Sequence, residues 1–215
     1  MNIIISPKDF NRTFEVVERK GAGHPDTLAD GLAEMLSIKF SRYTLKKFGA
    51  ILHHNFDKVG LLGGSSFVSF GKGYLTSPIR VLINGRVSTR FAGEKIPTQK
   101  LLTGWAKEFL KEKLPLIDPE EDLCFHLNLS SQSSPGKTYE KESKKSARQR
   151  WFEPEGLNDF PELEKLVSND TSLGVGYAPV SKLEKIVLKI EQVLNSKEYK
   201  RRNPWIGSDI KIILD

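Results

Sequence analysis

Apolar residues recur at helical spacing in three stretches of the chain. From about Pro25 to Phe48, Ala29, Leu32, Ala33, Leu36, Phe40 and Tyr43 fall on one side, and Gly49 stands where a left-handed residue would stop the helix. From about Thr98 to Leu114, Leu101, Leu102, Trp105, Phe109 and Leu110 share a side, and Pro115 cannot continue the helix. The third helix starts at Ser181, which forms a capping-box pattern with Glu184. Leu183, Ile186, Val187, Ile190, Val193 and Leu194 then make a stripe expected to be buried.

Short β-branched or alternating runs between these helices predict strands at Thr13–Arg19, Ala50–Asp57, Leu61–Phe70, Ile79–Ile83, Leu123–Leu129 and Asp209–Leu214. Their gaps are hairpin-length as often as crossover-length, which predicts an α+β fold of layered β-sheets with helices packed on one face. Ser130 to Pro161 is rich in Ser, Lys, Arg, Gly and Pro and reads as a long loop, a functional lid or a connection. The expected organisation is an α+β unit over 1–129, a basic loop over 130–161 and part of a second, incomplete α+β unit over 162–215. The run SDIKIILD from Ser208 to Asp215 is a strand pattern with no turn after it. Its sheet partner lies upstream or on another chain, which points to a truncation or a partner subunit.

Composition narrows the classes. The chain has 215 residues, 38% of them apolar and 28% charged, which excludes disorder throughout. No apolar run approaches the roughly 20 residues that cross a bilayer. The N-terminal MNIIISPKDF lacks the basic and apolar regions of a signal peptide, so the cytoplasm is expected. A single cysteine, Cys124, excludes an internal disulfide and, in the alternating DLCFHLNL, reads as a core thiol. The formal charge of +6 is concentrated in Gly136 to Arg150, which carries six basic and two acidic residues. Such a loop is either solvated or engages a phosphate-bearing ligand. Only Tyr139 and Trp151 accompany its charges, so nucleic acid ranks last among partners.

Three clusters carry candidate chemistry. In ERKGAGHPDTLAD (Glu18–Asp30), Gly21 and Gly23 permit close backbone approach, Pro25 suits a first helical turn, and unpaired N–H groups would face the same space as His24. That arrangement favours an anion such as phosphate, with Arg19 and Lys20 adding charge if they turn inward. Asp26, at the helix mouth, could hold magnesium that also binds phosphate. By residue type alone, Asp26, Asp30 and Glu34 better suit the ordinary acidity of an early helix than a metal site, and His24 a structural imidazole rather than a catalytic one. In LHHNFDK (Leu52–Lys58), alternation puts His53, Asn55 and Asp57 on one strand face and His54, Phe56 and Lys58 on the other. Opposed faces argue against zinc and for hydrogen-bonding groups in a cleft, with Gly63 and Gly64 admitting a ligand or another backbone. The third cluster, SNDTSLGVGYAP (Ser168–Pro179), reads as a polar turn; its GVG is too short for a dinucleotide fingerprint.

Taken together, ERKGAGHPDTLADGLAE, FGAILHHNFDKVGLLGG and SNDTSLGVGYAPVSKLEKIVLKIE resemble the archaeal-type methionine adenosyltransferases, or S-adenosylmethionine synthetases. The resemblance covers nearly all of the chain and is weakest from Ser130 to Leu166, where RQRWFEPEGL is closer to bacterial members. It implies attack of the methionine sulfur on the 5′ carbon of ATP, with triphosphate expelled and then split, assisted by magnesium and in many members potassium. By matching motif, His24 would contact the phosphate chain and Asp26 would hold magnesium. Asn55, Asp57, Gly64 and Ser65 would line the methionine and monovalent-cation side, and Asp170 the methionine and adenosine end. Ser131, Gln132, Ser133 and Ser134 align with the family's Gly-Gln-Gly-Ser phosphate loop, with serine in place of both glycines. Family members are roughly twice this long, with three similar α+β domains and sites at a dimer interface, and their Gly-Asp-Asp-Gly segment is absent here. The implied protein is a homo-oligomer, or a hetero-oligomer with a chain carrying the missing half. The other readings are a non-catalytic or regulatory ATP/methionine-binding subunit and an inactive truncated homologue.

Overall fold

The computed structural model describes residues 13–131, 152–160 and 176–215. The first helix, α1 (Pro25–Phe48), begins and ends as its sequence dictates: Pro25 occupies the first turn, and Gly49 adopts a left-handed φ of 78°. The Gly49 N–H donates to the Leu45 carbonyl at 3.0 Å. Leu28, Leu32, Leu36, Phe40 and Thr44 are its buried row, so the stripe lies one flank away from the expected one and Ala29 and Ala33 are only half-buried.

The core sheet has the order β2 (His54–Leu62), β5 (Ile79–Val87), β8 (Leu123–Ser130). The β2/β5 pair is antiparallel and the β5/β8 pair parallel. A parallel neighbour needs a crossover, and α2 (Thr98–Lys113) supplies it, packing beside α1. Its Leu102, Ala106 and Leu110 are fully buried, and Leu101, Trp105 and Phe109 pack against the same core. Two short hairpins, β3 (Ser66–Ser69) with β4 (Lys72–Leu75) and β6 (Arg90–Phe91) with β7 (Glu94–Lys95), interrupt the stretch that the alternation left as one long strand and a loop.

Two expectations for this layer are corrected. A bulge between Asn55 and Lys58 shifts the register. Phe56, within it, faces the core, and Val59 packs against the core after it, so Lys58 pairs with Asn84 on the open face rather than sharing the side of His54. Cys124 is not a core thiol. It is half-buried, and its Sγ lies 3.6 Å from Nε2 of exposed His126, two residues along β8.

The first and last described strands pair in a second layer. β1 (Val17–Lys20) pairs antiparallel with β9 (Lys211–Leu214), so the expected partner of the last strand lies upstream, in the segment that precedes α1. The capping box of α3 (Lys182–Leu194) is fully formed, with Glu184 N–H donating to Ser181 Oγ at 3.0 Å and Ser181 N–H to the Glu184 carboxylate at 2.5 Å. A short α4 (Lys197–Arg202) follows. The α3 stripe departs from expectation: Val187 is fully buried against the strands, whereas Ile186, Ile190 and Val193 are 51%, 37% and 48% exposed. Among the described residues no helix is long and apolar enough to cross a membrane.

His54 is half-buried against the core residues Phe40 and Phe56. Its Nδ1–H donates to the Leu52 carbonyl at 2.8 Å, so Nε2 is the acceptor and takes the Ser37 hydroxyl proton at 2.8 Å. Phe40 and Phe56 flank the ring. Burial holds the imidazole below the ordinary histidine range. Since the unfolded chain binds the proton more tightly, stability is fully present above about pH 6.5 and falls as pH drops from there towards the folded value. Urea unfolding from pH 7.5 to 5 should show this loss in the native protein, with a slope of up to ~1.4 kcal/mol per pH unit from this group. His54→Gln should remove that component of the slope.

Candidate active site at the mouth of the first helix

The loop Gly21–His24 joins β1 to α1, and the segment from Ser208 to Ile210 lies across it. A Cβ on Gly23 would sit 2.1 Å from Ser208 Oγ and 2.8 Å from the Ser208 backbone carbon; one on Gly21 would sit 3.0 Å from the Ser208 carbonyl oxygen. Both glycines are thus required by protein backbone rather than by a ligand. Their N–H groups are also engaged: Gly21 donates to the Ile210 carbonyl at 2.6 Å, Gly23 to that of Ser208 at 3.0 Å, and His24 to that of Gly21 at 3.1 Å. The expected cradle of unpaired N–H groups is therefore corrected.

His24 is the N-cap of α1. Its Nδ1 accepts the Asp26 N–H at 3.2 Å, which makes Nε2 the ring's donor and fixes the imidazole over the helix mouth. Asp26, in the first turn, forms an ion pair with Lys20. Lys20 also lies 3.3 Å from Glu18, and Lys211 lies 2.9 Å from the other oxygen of the same carboxylate. Strand register explains the cluster. Glu18 and Lys20 alternate onto one face of β1, and Lys211 is directly opposite Lys20 on β9. Arg19 points to the other face and meets Glu191 of α3 at 3.9 Å. Of the two cations flagged in the sequence, Lys20 turns to the site and Arg19 away.

The cluster's electrostatics follow from these contacts. The hydrogen bond from Lys20, then its charge, holds the Asp26 carboxyl below its usual range, and the hydrogen bond from Lys211 does the same for Glu18. The two carboxylates in turn raise Lys20, Asp26 first. Lys20 is half-buried and its partners are exposed, so solvent screens the pairs and their contribution to stability is small. Their significance is that two carboxylates and two ammonium groups converge beside a ring N–H donor at a positive helix end. On the other face of β1 a cleft of about 290 Å³ is lined by Val17, Arg19, Tyr177, Val180, Glu184 and Val187 among others. The Tyr177 hydroxyl donates to Glu184 there.

The remaining candidates lie elsewhere. His54, adjacent to Asn55, contacts Ser37, thirteen residues into α1 from His24 by number, which at 1.5 Å per residue is ~20 Å along the helix axis. Within one chain Asn55 is thus remote from the helix mouth. Asn55 Oδ1 accepts the Asp57 N–H at 2.9 Å, and the Asp57 carboxylate pairs with Lys58. Gly64 is approached by backbone: a Cβ there would meet the Ser77 carbonyl oxygen at 2.1 Å. Ser65 closes the base of the β3/β4 hairpin, its N–H donating to Ser77 Oγ at 2.7 Å. Ser131 follows the end of β8 and is half-buried, while Gln132, Ser133, Ser134, Asp170 and the 136–150 loop lie outside the described residues. Among the described residues no group of three or more His, Cys, Asp or Glu side chains converges to cage a metal, which leaves Asp30 and Glu34 as surface acidity. Glu18 and Lys211 escaped the sequence reading. Alternation along β1 could have flagged Glu18; nothing local flags Lys211.

Comparison with known proteins gives one answer. The sequence model described as S-adenosylmethionine synthetase (AdoMet synthetase) matches residues 4–149 and 155–214. A probable S-adenosylmethionine synthase of Aquifex aeolicus is 38% identical over 216 residues, covering 99% of this chain and 50% of its own. The S-adenosylmethionine synthase of Hyperthermus butylicus is 38% identical over 207 residues, covering 94% and 46%. That of Methanocaldococcus jannaschii is 37% identical over 223 residues, covering 99% and 50%. The chain spans about half the length of the curated relatives it matches.

Two variants test the geometry of the mouth. In Lys20→Met the Asp26 carboxyl should titrate higher than in the native protein by NMR; an unchanged value would place Lys20 elsewhere. Gly23→Ala should lower stability by about 1–3 kcal/mol through overpacking against Ser208, whereas Gly63→Ala, where a Cβ meets nothing within 4 Å, should not.

Proposed function

The chain belongs to the S-adenosylmethionine synthetase family, and we propose that it supplies part of a methionine adenosyltransferase site that takes ATP and methionine. In that reaction the methionine sulfur forms a bond to C5′ of ATP while the C5′–O bond breaks, its electron pair leaving with the triphosphate. The products are a sulfonium and triphosphate, and water then splits triphosphate into pyrophosphate and phosphate. Charge develops on the departing oxygen, so the catalytic requirement is a set of fixed donors and cations around the phosphate chain.

The observation that carries this reading is the junction of Lys20, Asp26 and Glu18 beside the capped His24. His24 Nε2–H would donate to a phosphate oxygen near the leaving group. Lys20 and Lys211 would exchange their carboxylate partners for phosphate oxygens. That exchange frees Asp26, with Glu18 near it, as a hard-oxygen donor set suited to magnesium that keeps water and phosphate among its ligands. When bound, magnesium would neutralise the phosphate oxygens as a Lewis acid. Ser131, Gln132, Ser133 and Ser134 are assigned to the phosphates, and Asp170 to the methionine and adenosine end, on the family likeness alone.

The ~20 Å along α1 between His24 and the Asn55 region supports a shared site. Asn55, Asp57, Gly64 and Ser65 would serve the methionine and potassium side of a mouth supplied by another chain. We therefore assign the working protein as an oligomer, either of copies or with a chain carrying the other half of the family's length.

The test is S-adenosylmethionine formation from ATP, methionine and magnesium by this chain alone and mixed with the unmatched half of the Aquifex aeolicus relative. Product is expected only in the mixture, and Asp26→Asn should lower its rate on the order of 100-fold and raise the magnesium concentration needed. An unchanged magnesium requirement in Asp26→Asn would remove Asp26 from the site. ATP binding without product in either arm would favour the non-catalytic subunit.

A further inference from the structure

Asn55 and Ser131 are assigned above to different substrates and stand on different strands, Asn55 on β2 and Ser131 just past the end of β8. The strand between them is β5, and its register fixes what lies there. Arg86 is paired with Asn55 on one side and with Ser130 on the other. Neighbouring strands are about 4.8 Å apart, so Asn55, Arg86 and Ser130 form one row across the end of the sheet, next to Ser131. The row is on the open face, because Val81, Ile83 and Val87 of β5 alternate with it and are fully buried on the other.

The backbone is shaped to hold that row together. The bulge between Asn55 and Lys58 lies opposite Gly85, where a Cβ would sit 2.2 Å from the Asn55 carbonyl oxygen. Glycine there lets β2 close on β5 beside Arg86, and a bulge at such a point re-aims side chains. The adjacent row satisfies itself across all three strands: Asn84 Nδ2 donates to the Lys58 carbonyl at 2.8 Å, and Asn128 Nδ2 to Asn84 Oδ1 at 2.7 Å. The Asp57 carboxylate, within the bulge, is held by Lys58. The other cation of β5, Arg80, is exposed six residues away, about 20 Å along the strand.

We propose that Arg86 binds a substrate oxyanion at the end of this sheet, either the methionine carboxylate or an oxygen pair of the phosphate chain, as a further substrate-binding residue of the shared site. The inference rests on the reading above that Asn55 and Ser131 face the substrates. The register then puts a planar, permanently charged fork of N–H donors between a residue assigned to methionine and one assigned to phosphate. Both sources offer the same chemistry, two oxygens of one group matched by two parallel N–H donors.

The experiment reads binding rather than turnover. Calorimetry measures methionine and, separately, magnesium tripolyphosphate on the native chain mixed with the unmatched half of the Aquifex aeolicus relative. The same titrations are run with Arg86→Met, Arg86→Lys and Arg80→Met. Arg86→Met should weaken at least one ligand by about 10- to 100-fold, the loss of a hydrogen-bonded charge pair. Weaker methionine identifies the carboxylate as the partner, and weaker tripolyphosphate the phosphate chain. Arg86→Lys should recover only part of the loss, because an ammonium does not grip two oxygens at once, and it carries the comparison if Arg86→Met fails to fold. Arg80→Met makes the same charge change on the same face and should bind both ligands as the native mixture does. Native affinity for both ligands in either Arg86 variant, or an equal loss in Arg80→Met, would overturn the role of Arg86 and leave the proposed site standing. A native mixture that binds neither ligand would sink the proposed site, and this role with it.

Discussion

Everything at the candidate site depends on the close approach of Gly21 and Gly23 to the Ser208–Ile210 backbone. There is no space for a Cβ on Gly23, and the two glycine N–H groups close the contact by donating to the carbonyls of Ile210 and Ser208. That contact aligns β1 with β9, which sets Lys211 opposite Lys20 and directs Glu18 and Lys20 to the mouth of α1. It also leads the chain into α1 at the angle that makes His24 its cap. Residues almost two hundred positions apart by number thereby form one charged surface.

The surface is suited to binding rather than to holding the fold together. Exposed ion pairs contribute little to stability and weaken further with salt. Lys211 and Lys20 hold the carboxyls of Glu18 and Asp26 below their usual range, and in the proposed reaction these lysines are the groups an incoming polyphosphate would recruit. The buried core lies in the other layer, where α1 and α2 cover the β2/β5/β8 sheet and the half-buried His54 packs against Phe40, Phe56 and Ser37.

What the sequence made legible was local. Pro25, Gly49, Ser181 and Glu184 mark helix ends because capping depends on residues a few positions apart, and each mark is realised. The α+β class followed from the order of periodic segments. What stayed hidden was non-local. The bulge after Asn55 reverses the side on which Lys58 falls, and period-two reasoning cannot see it. The glycines near His24 read as a phosphate cradle because their real neighbour, Ser208, is distant in sequence. Ile186, Ile190 and Val193 read as buried because amphipathicity reports what a helix is built to bury, and the described chain covers only part of it. The roles proposed for His24 and Asp26 rest on their motif, since their residue types alone fit an ordinary helix start.

The most direct test of the central claim, that the mouth of α1 holds a magnesium polyphosphate, is an NMR titration of the native chain with tripolyphosphate and magnesium. It would follow the His24 ring together with the Asp26 carboxyl. Both signals should shift together and saturably, with magnesium required, while His126 on the far strand stays still. Shifts confined to His126, or equal shifts with and without magnesium, would contradict it.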